Sequence, residues 1–187
     1  MNVAEVLAFW FDDDPHLFRA ERWFRPEDQF DALCRERFEF TVRAARDGAL
    51  DSWADTPEGA LALVIVLDQF PRNIHRGSHL AYAGDAHARR IASHAIGRGF
   101  DARLTPVQRV FLYLPFEHSE KLADQDLSVR LFETLHRQPQ LEKALGAAER
   151  HRAVIRRFGR FPHRNAALGR ASTAEEEAFL AEHGRGF

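Results

Sequence analysis

The residues best suited to chemistry are polar ones that interrupt apolar helical faces. Phe111-Leu112-Tyr113-Leu114-Pro115-Phe116-Glu117-His118 ends an aromatic run with an acid and an imidazole. Helical spacing puts His118 on the face of Phe111, Leu114 and Leu122, with Glu117 beside it on the side of Val110. Burial raises a carboxyl pKa and lowers that of an imidazole unless the two meet. Together they are candidates for a general acid/base pair near neutral pH. The competing reading is a core histidine that is hydrogen-bonded and inert. His151 repeats the theme on a stripe with Val154, Ile155 and Phe158, and it completes the candidate catalytic set.

Two further clusters suit ligand binding. Asp68 and Gln69 end an apolar helix, and Asp68 shares a face with Leu61, Val64 and Ile65. A carboxylate at a helix C-terminus opposes the helix dipole, so a cation must compensate, and Arg72 is the nearest. Asn73 follows it. The second cluster is Arg160, His163, Arg164 and Asn165. It lies in a stretch from Arg150 to Arg170 that holds seven Arg and no acid. That stretch carries +7, so with a net charge of -2 the remainder carries -9. Arg grips carboxylates and phosphates bidentately, and Phe158 and Phe161 interleave with these guanidinium groups as though drawing some into a folded pocket. Phe70-Pro71-Arg72-Asn73 is faintly echoed by Phe161-Pro162-His163-Arg164-Asn165, a match short enough for shared helix-stop chemistry.

Other chemistries are excluded or weakly supported. Cys34 is the only cysteine, which rules out an internal disulfide or a thiolate-cluster metal site. It lies on an apolar helical stripe and reads as core. Di-iron bundles need Glu-x-x-His on two helices, a pair this chain does not carry, and His-Glu-x-x-His is absent. No metal or cofactor is expected. Gly-x-Ser-x-Gly and the Gly-x-x-x-x-Gly-Lys phosphate loop are missing as well. The longest apolar run, Ala60 to Leu67, is far short of the ~20 residues of a membrane span. No signal peptide is visible at the N-terminus. The expectation is a soluble cytoplasmic protein without membrane partners. The near-neutral net charge argues against a general nucleic-acid binder, although Arg beside Phe keeps single-stranded RNA as a minor alternative.

The elements that must position these residues are helical almost throughout. The 187 residues suit one domain, expected to span residues 1–187. The chain holds 16 Phe against 2 Tyr, and all its basic residues except Lys121 and Lys143 are Arg, an excess that genomic base composition explains in large part. Val3, Val6, Leu7 and Trp10 mark an opening helix. Phe30, Leu33, Cys34, Phe38, Thr41, Val42 and Ala45 trace a longer one ending near Gly48. Thr56-Pro57 is a helix start leading into a buried apolar helix that Phe70-Pro71 is expected to stop. A helix near Tyr82–Ile96 should end at Gly97/Gly99. Thr105-Pro106-Val107-Gln108 reads as a capping box for a helix that Pro115 should kink. Helical pattern continues near Leu127–Arg137 and Leu141–Phe158, and Ser172-Thr173-Ala174-Glu175 should cap the last helix. No segment alternates long enough to demand a sheet, so the fold class is all-α: a compact single-domain array of helices.

The same residues resemble a known family. Phe9-Trp10-Phe11, Trp23-Phe24, Leu67-Asp68-Gln69-Phe70-Pro71-Arg72-Asn73, Tyr113 through Glu120, and Arg157-Phe158-Gly159-Arg160-Phe161-Pro162-His163-Arg164-Asn165 are similar to the bacterial domain-of-unknown-function family numbered 924. Leu168 through Thr173 and Glu175-Glu176-Glu177 close the match. The resemblance implies a helical fold with tetratricopeptide-like superhelical packing. It brings no established activity and no catalytic residues. Two functions therefore stay open. One is a polar, Arg-lined pocket for a small anionic ligand, with Arg72, Arg160 and Arg164 gripping it, Gln69, Asn73 and Asn165 orienting it, and Glu117 with His118 or His151 moving protons. The other is a non-catalytic helical scaffold for a peptide or protein, in which those polar clusters hold helices in register. Whether the chain is an enzyme is undecided on these grounds.

Overall fold

The computed structural model describes residues 1–12, 14–24, 27–135 and 137–184, and no strand occurs among them. They group into two compact units. The first comprises residues 1–76 and 80–115, and the second residues 77–79 and 116–187.

In the first unit, α1 (Val3–Phe11) is opened by Asn2. Its side chain accepts from the Glu5 N–H at 3.0 Å, and Glu5 accepts in return from the Asn2 N–H at 2.7 Å. Trp23 on α2 (Ala20–Phe24) and the expected stripe of α3 (Asp28–Arg46) turn inward, except Leu33, which is exposed. Here the phenylalanine excess finds its use. Phe9, Phe38 and Phe70 pack ring on ring, with 4.3 Å between the centroids of Phe38 and Phe70. Trp23 meets Phe111 edge-on at 4.7 Å. Cys34 is wholly buried, which pushes its thiol up to about 12. It is a packing residue, as the stripe implies.

Thr56 caps α4 (Pro57–Val64), accepting from the Gly59 N–H at 3.1 Å. Contrary to expectation, Phe70-Pro71 does not end this helix. The chain passes through a π-helical turn, Ile65–Gln69, into α5 (Phe70–Ile74). Proline lacks an N–H, and its ring collides with the carbonyl four residues back, which here belongs to Leu67. The wider turn relieves the conflict: the Phe70 N–H reaches back five residues to the Ile65 carbonyl. The Leu67 carbonyl oxygen instead faces Gly84, where an added Cβ would lie only 2.2 Å from it. Gly84 precedes α6 (Asp85–Gly97), and Gly99 takes the left-handed conformation (φ 68°) just beyond it. α7 (Pro106–Glu117) begins with the expected Thr105/Gln108 box, bonded at 3.2 and 3.0 Å. It runs through Pro115 and ends two residues later.

The second unit is built on α8 (Leu122–Glu133), α9 (Glu142–Phe158) and α10 (Ala174–His183). Val154, Ile155, Phe161 and Phe179 form a buried cluster flanked by Phe158 and Leu180. α10 is capped one residue later than the sequence suggests. Thr173, not Ser172, accepts from the Glu176 N–H at 3.2 Å, and the Glu176 carboxylate accepts from the Thr173 N–H at 2.8 Å. Tertiary partners decide the register: Ser172 Oγ accepts instead from Asn165 at 3.1 Å. Among the described residues no helix is long and apolar enough to cross a membrane.

Candidate functional site

In the second unit the end of α7 delivers Glu117, 4% exposed, to α9. Its Oε1 lies 3.3 Å from His151 Nδ1, which is also 2.9 Å from the Ala147 carbonyl oxygen. Two acceptors on one ring nitrogen place the imidazole proton there and leave Nε2 with the basic lone pair. Burial pushes the His151 pKa down to about 3, against the bond from the Ala147 carbonyl, with the positive fields of His118, Arg164 and Arg150 adding to the fall. His151 is therefore neutral at pH 7. The carboxyl and imidazole do meet, but Glu117 takes the imidazole of α9; its neighbour His118 is half-buried and acts on His151 through charge.

Phe161, fully buried, is the centre of the Arg-rich corner. His151 meets its ring edge-on at 5.5 Å, His163 lies 5.6 Å from it, and the Arg164 guanidinium sits over it at 4.5 Å. Arg164 is itself 6% exposed. The structure thus gathers Glu117, His118, His151, His163 and Arg164 in one region of the second unit.

Arg160 and Asn165 are engaged differently. Arg160 grips Glu176 bidentately at 2.6 and 2.8 Å and donates to the Ala171 carbonyl at 2.9 Å. Its guanidinium holds the Glu176 carboxyl down at about 2. Asn165 donates to Ser172 and Glu176 and accepts from Arg170, which holds Glu120 bidentately at 2.7 and 2.9 Å. Glu120 also accepts from the Phe161 N–H at 2.8 Å, and it too is held below the usual carboxylate range: burial opposes this, but the bonds from Arg170 and Phe161 outweigh it. Arg152 and Arg156 face Asp126, and Arg157 faces Glu175.

The Asp68 cluster of the first unit is closed by ion pairs. Asp68 is fully buried, accepts from Gln69 Nε2 at 2.5 Å and pairs with Arg72 at 3.1 Å. Arg72 also binds Asp85 bidentately at 2.9 and 3.0 Å and donates to the Asp68 carbonyl. Burial disfavours its charge, but Asp68 and Asp85 more than offset this and hold it well above its ordinary value. Asn73 donates to the Gln69 carbonyl at 3.1 Å. The faint repeat is not one of conformation: Phe70–Asn73 is helical, whereas Pro162–Arg164 is a 3-10 turn.

Sequence reasoning missed Asp85, Glu120 and Glu176, the acids that occupy the arginines. Asp85 had one signal, since an acid in a first helical turn is favourable. Gln125 and Ser128, buried on α8, left no mark beyond interrupting an apolar face. Among the described residues no group of three or more His, Cys, Asp or Glu side chains is arranged to hold a metal.

The architecture and its buried acid–imidazole pair define a helical protein with a small set of polar side chains buried in each unit. The chain belongs to a family described as bacterial protein of unknown function (DUF924), whose profile matches residues 6–184. It is similar to a solved structure from Agrobacterium tumefaciens, the protein of unknown function ATU0120, with 40% identity and a TM-score of 0.85. The match covers 96% of this chain and 97% of that one. No curated protein matches the chain.

Proposed function

We propose that the second unit binds a small anionic molecule beside Phe161 and transfers a proton to or from it, in a cytoplasmic setting. One observation carries this reading: a neutral His151, held through Nδ1 by Glu117 and the Ala147 carbonyl, lies with Arg164 on the same aromatic ring. Nε2 of His151 receives the ligand's proton only once the bound anion has lifted the imidazole from about 3 toward the working pH, because so weak a base does not act there alone. Glu117 orients the ring and stabilises the imidazolium once a proton has been taken. Arg164 supplies the fixed positive charge that favours an anion, with the His163 and His118 imidazoles as neighbouring polar groups.

The remaining candidates brace the packing of their own units. Arg72 and Arg160 are each held bidentately by carboxylates, which favours structural roles for Asp68, Gln69, Arg72, Asn73, Arg160 and Asn165. That same saturation is what supports the second reading, a non-catalytic scaffold in which buried ion pairs set helix register for a peptide or protein partner.

A thermal-shift screen with inorganic phosphate, a sugar phosphate and a dicarboxylate separates the two. Saturation at about 100 times Kd stabilises by about 2.7 kcal/mol, so one class should raise Tm by roughly 5–10 °C. His118→Gln and Arg164→Gln should shrink that rise. If no anion moves Tm, or both variants respond as the parent does, the anion site is wrong and the scaffold is favoured.

A further inference from the structure

α8 carries a pair of polar atoms that the anion reading does not use. Gln125 and Ser128 are fully buried, at 0% exposure. Gln125 Nε2 donates to the carbonyls of Glu117 and Ser119, at 2.6 Å each. These contacts fix the amide orientation, because a flipped amide would set its oxygen against two carbonyl oxygens. Oε1 is therefore held as an acceptor, and neither it nor Ser128 Oγ has a hydrogen-bond partner among the described residues. Leaving such groups buried and unmet costs as much as or more than a typical hydrogen bond contributes.

We infer that this face of α8 is a subsite for one neutral O–H group, which donates to Gln125 Oε1 and exchanges a second hydrogen bond with Ser128 Oγ. The spacing fits. Residues three apart on a helix share a face, so Gln125 and Ser128 rise from the same side of α8, and one oxygen bonded at about 2.8 Å to each of two atoms can bridge up to about 5.6 Å. The chemistry fits as well. An amide oxygen repels an anion, a charged donor is costly to bury, and a hydroxyl partner demands a group that both gives and takes. Water and the hydroxyl of a bound alcohol share this chemistry. Gln125 bonds the backbone carbonyl of Glu117, whose side chain belongs to the His151 pair, but the subsite does not depend on that pair binding an anion.

Crystals of the full chain grown without polyol, and the same crystals soaked in glycerol, separate the two sources. An ordered oxygen bridging Gln125 and Ser128 in both is water; one found only after soaking is an alcohol hydroxyl, and either result supports the subsite. Ser128→Ala gives a second measurement. With the subsite occupied it should lower Tm by about 3 °C, because about 1 kcal/mol shifts Tm by 2–4 °C at this chain length. No bridging oxygen in either crystal, or a Ser128→Ala protein as stable as the parent or more so, overturns the proposal. Failure of phosphate or dicarboxylate to bind leaves it standing.

Discussion

His151 makes stability depend on pH in a window whose upper part, above the ordinary carboxylate range, the acids do not share. Its pKa falls from an ordinary 6.5 to about 3 in the folded state, so between those values the unfolded chain binds the extra proton. Stability then rises with pH across the window and is lost as pH falls below 6.5. Glu176, held at about 2, and Glu120 act in the same direction but only as pH falls through the ordinary carboxylate range. Urea unfolding at pH 7 and pH 5 should isolate the imidazole. The parent should lose about 2 kcal/mol more than His151→Gln on that step. Equal losses would mean that His151 is not held neutral. Sequence spacing found this imidazole and its acid but left the acid's partner open between His118 and His151. His118 is adjacent to Glu117 along the chain, and only the packing of α9 brings Nδ1 of His151 to that carboxylate.

At the scale of elements, local chemistry was legible and tertiary demand was not. Thr56-Pro57 and Thr105–Gln108 start helices because each cap is completed within four residues. Phe70-Pro71 misleads because the π turn that rescues the helix needs somewhere to put the Leu67 carbonyl, and that place is Gly84, on another element. Ser172 and Thr173 both satisfy a capping pattern; Asn165 and Arg160, which bind Ser172 and Glu176, choose between them. The Gly84 contact gives a sharp expectation. Gly84→Ala drives a methyl against backbone, which cannot swing aside like a side chain, and should cost about 3 kcal/mol in chemical denaturation. A loss below 1 kcal/mol would show that the Leu67 carbonyl lies elsewhere.

For the whole molecule, the charge pattern in the sequence is real but its apparent meaning is not. The +7 stretch reads as a basic patch until Asp126, Glu175, Glu176 and Glu120 are found against it within the second unit. Charge so neutralised at short range attracts polyanions weakly. Fluorescence anisotropy with a single-stranded oligoribonucleotide at 0.15 M salt should show no binding tighter than the non-specific range of about 10⁻⁴–10⁻⁶ M, and nanomolar affinity would revive the nucleic-acid reading. Periodicity marked the helical class, since a 3.6-residue period runs through nearly every segment. It could not show which acid meets which arginine, because those pairs join residues far apart in the chain, as Arg170 and Glu120 do.

The approach of Leu67 to Gly84 also bears on how the family can vary. The carbonyl is displaced because residue 71 is proline, and it is accommodated because residue 84 has no side chain. The two positions should therefore drift together: once proline is lost the ban on a side chain at 84 relaxes, and a side chain at 84 requires the turn to close first. Two letters read jointly in any relative would show whether it keeps the π turn.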